Sequence, residues 1–133
     1  MPVSASNGTA RTLLRQVPPS VPADPEVMTG TIELPPGDPG TPPHRHSGPV
    51  VGYVLEGRLL FELEGEAERV IEAGEAFWEP GGDVIHYQAA NRCPDRWCRF
   101  VFVMVGERGA PMLTLVDDAE LVGRRHRRAP RPS

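Results

Sequence analysis

The residues best placed to do chemistry are His44 and His46, separated only by Arg45. In an extended strand, residues i and i+2 point to one face with Cα atoms roughly 6.5–7 Å apart. Two imidazoles so placed can converge on one ion at about 2.0–2.2 Å from each nitrogen. A third ligand must then come from another strand, and His86 lies in the next suitable stretch, Val84–Ala89. Residue types alone leave plainer readings open: H-x-H beside prolines also fits two loop histidines, and His86 fits a hydrogen-bonded core residue. Gln88, two residues past His86, shares its face in a regular strand. It is a candidate fourth ligand, or a polar group lining the cavity mouth.

Other reactive side chains compete poorly. Cys93 and Cys98 enclose four residues, a spacing typical of neither a metal knuckle nor a disulfide framework, and read as reduced thiols. Glu79 and Asp83, beside the Gly81-Gly82 turn, read as solvated carboxylates, and His126 in Arg-Arg-His-Arg-Arg reads as a solvated tail residue. Tyr53 and Tyr87 have the opposite strand parity to the histidines and are expected to face away from them. Phe77, Trp78, Phe100 and Phe102 read as core and pocket lining. No Ser-His-Asp order, phosphate loop or CxxC pair offers another chemistry.

Strands have to position these groups, and the sequence supplies them. From Val27 onward, short β-like runs alternate with Gly, Pro and charged turns: Met28–Leu34, Val50–Leu55, Arg58–Glu64, Arg69–Ile71, Ala76–Glu79, Val84–Ala89, Arg99–Val105 and Met112–Val116. In Arg58–Glu64, Leu59, Phe61 and Leu63 alternate with charged residues, and only Leu60 breaks the period of two. Thr12–Gln16 and Asp117–Arg128 are the helical candidates, the second with an Asp N-cap and arginines at its C-terminal end. This divides the chain into a Pro-rich arm (1–26), a barrel domain (27–118) and a basic, flexible tail (119–133).

Two ordered segments resemble the motifs of the cupin family. Pro36–His46 running on to Gly57 resembles G-x5-HxH-x3,4-E-x6-G, and Gly74–Asn91 resembles G-x5-PxG-x2-H-x3-N. The resemblance implies an all-β fold, a double-stranded β-helix or jelly roll closed into a small antiparallel barrel. It also implies one divalent transition metal (Zn, Fe, Ni, Cu or Co) on His44, His46 and His86. Val50 stands where the family has a glutamate ligand. Gly37 is one residue too far from His44, His86 one too far from Gly82, and Asn91 one too far from His86. A shell of three neutral imidazoles would leave the site at +2, attracting an anionic substrate or ionising bound water. The implied activity is that of a small enzyme of dioxygenase, isomerase, decarboxylase or cyclase type acting on a small organic molecule. A non-catalytic binding or storage protein is the alternative, and the missing glutamate favours it. The family habit of pairing through sheet edges implies a homodimer.

Composition bounds the rest. The 133 residues suit one domain, with 39% hydrophobic and 24% charged residues. The net charge of −4 is uneven: the tail from Ala119 carries +4 and the remainder −8. A domain of that sign does not attract a phosphate backbone, so nucleic acid is not an expected partner. No apolar run approaches the roughly 20 residues of a membrane span, and the first twenty residues lack a secretory apolar stretch. A cytoplasmic location follows as the expectation. A transcription-factor sensor is disfavoured because residues 1–26 hold no helix-turn-helix.

Overall fold

The computed structural model describes residues 2–5 and 8–131. In chain order the strands are β1 (Pro2–Ala5), β2 (Gly8–Arg11), β3 (Pro25–Leu34), β4 (His44–Arg45), β5 (Val50–Glu56), β6 (Arg58–Leu63), β7 (Arg69–Glu72), β8 (Ala76–Glu79), β9 (His86–Ala90), β10 (Cys98–Glu107) and β11 (Thr114–Leu115). One helix, α1 (Asp118–Arg124), is followed by a 3-10 turn, Arg125–Arg127. Two antiparallel sheets form the body, in the orders β3-β10-β5-β8 and β11-β4-β9-β6-β7. This is the all-β jelly roll expected from the sequence.

Alternation explains how the sheets face each other. Leu59, Phe61 and Leu63 of β6 point inward with Val54 of β5, Phe77 of β8 and Phe100 of β10, and all are buried. Leu60, the residue out of phase, lies on the outer face opposite Val70. Gly52 is a glycine because the Phe77 ring crosses directly over it: a Cβ there would lie 2.1 Å from Cζ of that ring. Gly81 has φ +72° and backs onto Gly48, whose carbonyl oxygen would be 2.1 Å from a Cβ. The next amide, Gly82 N–H, donates to the His46 carbonyl at 2.8 Å. The turn between β8 and β9 is thereby pinned to the segment carrying His46.

The flanking segments depart from the sequence reading. Thr12–Gln16 is not helical, and the arm instead contains the β1–β2 hairpin. Five residues ending before Pro18-Pro19 are too few to offset helix nucleation. Leu13 and Leu14 lie beside Val51 and Val103 on the outer face of the four-stranded sheet. The C-terminal helix begins as expected, with the Asp117 carboxylate accepting from Glu120 N–H at 2.8 Å. Residues 119–131 lie against the barrel. Leu121 packs on the outer cluster of Ile85, Tyr87 and Val116. Arg124 pairs with Glu64 and Asp83, Arg128 with Glu62, and Arg45 reaches across to Glu120. A row of barrel carboxylates thus captures the basic segment.

Candidate metal centre

His44 and His86 are direct partners in the β4–β9 pairing, so their side chains project from neighbouring strands on one face. His46 follows β4 on the same face. The three histidines are 3–6% exposed, with ring centroids 4.9 Å apart for His44–His46 and His44–His86 and 6.5 Å for His46–His86. One ligand nitrogen from each lies within 4.8 Å of the others. Two donors at about 2.1 Å from one ion can be at most ~4.2 Å apart, so the triad has to contract slightly to close on a metal.

Backbone carbonyls orient two of the rings. His44 Nδ1 is 2.8 Å from the Pro42 oxygen and His46 Nδ1 is 2.7 Å from the Met112 oxygen. A carbonyl only accepts, so each Nδ1 carries the proton and donates. In the neutral ring the Nε2 lone pair is then free for a ligand, the arrangement in which metal-binding histidines are held. His86 differs: both of its ring nitrogens are buried without a hydrogen-bond partner. Native proteins rarely leave such atoms unpaired. A metal ion would satisfy one of them.

A fourth polar group sits in the site, and it is not the expected one. Glu79, at the end of β8, is buried at 5% exposure. Its Oε1 lies 3.0 Å from His86 Nδ1, off the hydrogen-bonding direction of that nitrogen, and its Oε2 lies 3.5 Å from His46 Nε2. Burial opposes the charge on Glu79, but His86 and His46 outweigh it and hold the carboxyl well below the usual carboxylate range. Burial lowers His44 to about 4, so that ring is neutral near pH 7. Burial also works against charge on His46, but the contact with Glu79 prevails and raises its pKa.

The reading of Glu79 as solvated is therefore corrected: it is a buried carboxylate beside the three histidines. The signal was available: Phe77 and Glu79 are two apart in β8, so an inward Phe77 carries Glu79 inward with it. Asp83 is solvated as expected, its side chain 75% exposed. Val50 lines the cavity directly opposite Glu79 in the β5–β8 pairing.

Gln88 is not brought to the histidines. Its amide donates to Glu62 and Glu68, both at 2.7 Å, and its oxygen accepts from Arg92 at 3.0 Å. The cause is a bulge where β9 pairs with β6, with Glu62 opposite Gln88 but Leu63 opposite His86. The extra residue inverts the alternation. His86 and Ala89 line the cavity, whereas Tyr87 packs in the outer cluster, turned from the histidines as expected. Tyr53 likewise lies outside, beside Val51 and Val101. Asn91 is structural: its buried amide donates to the Leu34, Pro35 and Arg96 carbonyls.

The histidines open onto a cavity of about 50 Å³ whose other walls are largely apolar, including Ile32, Leu59, Phe77, Phe102 and Met112. Such a volume takes a few water-sized groups.

Known structures share this architecture. The chain aligns with the DMSP lyase DddQ from Ruegeria pomeroyi DSS-3 at TM-score 0.57 and 22% identity, covering 68% of this chain and 43% of that one. Oxalate oxidase in complex with the substrate analogue glycolate aligns at TM-score 0.56 and 26% identity, covering 68% and 46%. The polyketide cyclase RemF from Streptomyces resistomycificus aligns at TM-score 0.52 and 28% identity, covering 72% and 65%. The chain thus spans less than half the length of the first two proteins. No curated protein sequence matches it. The model of the cupin domain family, Cupin_2, matches residues 30–107, more than half of the chain, and the chain belongs to that family.

Proposed function

We propose that this protein is a metal-dependent cupin enzyme in which His44, His46 and His86 hold one divalent transition metal and a small organic molecule reacts beside it. The observation that carries the reading is the donor set. Two histidines have their protons committed to the Pro42 and Met112 carbonyls, and the third has two buried nitrogens without partners. Bound there, a metal supplies Lewis acidity, polarising a substrate oxygen or lowering the pKa of water. The chain's own contribution is orientation and exclusion of water. The two carbonyls fix the rings, and the Phe77, Phe102 and Met112 walls admit only a compact, partly apolar group next to the polar cluster. Similarity to oxalate oxidase and to a polyketide cyclase supports an enzyme of this class over a storage protein.

Elemental analysis of untagged protein tests the reading. One equivalent of metal is expected, lost in His44→Ala and His86→Ala while circular dichroism keeps its β-type spectrum. Metal-free protein that takes up no Zn, Fe, Ni, Cu or Co on dialysis ends it.

The same reading takes the protein to be a cytoplasmic homodimer. Val51 and Val103 stay partly exposed on the outer face of the four-stranded sheet, an apolar surface suited to a second copy. No helix among the described residues is long and apolar enough to cross a membrane. Light scattering that shows only a 14.5 kDa species at all concentrations removes the dimer.

A further inference from the structure

We propose that Glu79 is a protein ligand of the same metal, donated from the opposite sheet, so that the centre is three histidines and one carboxylate. The inference rests on the three-histidine reading and adds a donor that no motif comparison points to. Among the described residues, the ion-pair partners of Glu79 are His46 and His86, one for each carboxylate oxygen. No arginine reaches it. Oε2 faces His46 Nε2 at 3.5 Å, and that nitrogen is the one left free when Nδ1 donates to Met112. The carboxylate therefore stands beside two of the three rings of the triad, one oxygen toward each. A proton on Nε2 or a metal ion between them satisfies this pair, and of the two a metal ion also gives a partner to the orphaned nitrogens of His86. A role confined to orienting His86 would explain the 3.0 Å approach to Nδ1 but not the second oxygen turned to His46. A carboxylate donor also lowers the charge of the loaded centre from +2 to +1, which weakens its pull on anionic substrates relative to a shell of imidazoles alone.

The strand register offers a direct test. Val50 sits opposite Glu79 with both side chains in the cavity, so a carboxylate can be moved from one strand to the other without leaving the site. Zn(II) affinity is measured by competition with a chromogenic chelator for the full chain, Glu79→Gln, Glu79→Val and the swap Val50→Glu/Glu79→Val. The visible d–d spectrum of each Co(II)-loaded protein reports the ligand field. Glu79→Gln is expected to lower Zn(II) affinity more than about tenfold and to change the Co(II) spectrum. The swap is expected to recover the affinity to within about tenfold of the parent and to restore the spectrum. A Co(II) spectrum unaltered by Glu79→Gln, or a swap that binds no better than Glu79→Val, overturns the assignment. If Glu79→Val does not fold, the near-isosteric Glu79→Gln and its spectrum still decide. Parent protein that binds no Zn(II) overturns the three-histidine reading with it, whereas binding that Glu79→Gln leaves intact overturns this assignment alone.

Discussion

Substituting Gly52 by alanine tests whether the interior is packed as tightly as the aromatic geometry implies. Gly52 is not in a left-handed conformation, so alanine meets no backbone penalty and any cost is steric. The new Cβ would lie 2.1, 2.4 and 2.7 Å from Cζ, Cε2 and Cε1 of Phe77. Carbon atoms pack comfortably at about 3.5–4.0 Å, so the ring has to withdraw by more than ~1 Å. Phe61 at 5.0 Å and Phe100 at 5.5 Å, centroid to centroid, restrict that withdrawal, leaving the small cavity that the ring lines as its outlet. Overpacking of this kind costs about 1–3 kcal/mol, and the depth of the overlap with the Phe77 ring places Gly52→Ala in the upper half of that range. With an unfolding entropy of about 2.1 cal/mol/K per residue over 133 residues, 2 kcal/mol corresponds to a fall in Tm of roughly 7 °C. Urea denaturation and thermal melts in the presence of a chelator measure the effect without metal. Phe77→Leu removes the atoms the new methyl strikes, so the double variant should be more stable than the sum of the singles by about 1 kcal/mol or more. Additivity within about 0.5 kcal/mol, or a Gly52→Ala protein as stable as the parent, would refute the packing argument.

Three further outcomes are expected. The Cys98 thiol is fully buried and pushed up to about 11, by burial first and Glu56 second, so a disulfide reagent should label only Cys93 in the native protein and both cysteines in denaturant. Hydrogen bonds from Arg124 and Arg45 depress Asp83 and Glu120 below their ordinary values of 3.8 and 4.5, so the stability they lend is complete above those values and is lost as pH falls below about 4. Both carboxylates are solvated, so the loss should be smaller in high salt, and a melting curve over pH 3–6 at two ionic strengths checks this. Arg128→Ala should destabilise the protein by about 1–2 kcal/mol in urea titrations, because Glu62 stays buried with Arg131 and the neutral Gln88 amide as its remaining partners among the described residues.

Much of the architecture was legible because it depends on periodicity alone. The runs read from Met28 to Val116 correspond to strands β3 and β5–β11, and Leu59, Phe61 and Leu63 fall inward as their alternation demands. His44, His46 and His86 come together for the same reason, two sharing a strand face and the third crossing from β9. The misses are failures of parity or of local scale. Counting two residues from His86 to Gln88 gives the same face only in a regular strand, and the bulge lies between them. The glycines and acids around Glu79 suggest solvent, whereas its parity with Phe77 is the better guide. The C-terminal arginines look like a solvated run because their partners, Glu62, Glu64 and Asp83, lie some forty to seventy residues away in sequence.

Those arginines connect the outside of the barrel to its inside. A bulge adds a residue that the ladder does not pair, so something other than the ladder has to hold the inverted alternation of His86, Tyr87 and Gln88. On the outer face the Arg128 guanidinium covers the Tyr87 ring at 4.4 Å while donating twice to Glu62 at 2.8 Å. Glu62 in turn accepts from Gln88, whose amide also reaches Glu68. Tyr87 and Gln88 are thus fixed outward, and the side chain they leave facing inward is His86. Aligned at that position, His86 meets His44 across the ladder and Glu79 across the barrel. Among the described residues the basic segment makes no hydrogen bond or ion pair with these three, yet it holds the backbone irregularity on which the direction of one of them depends.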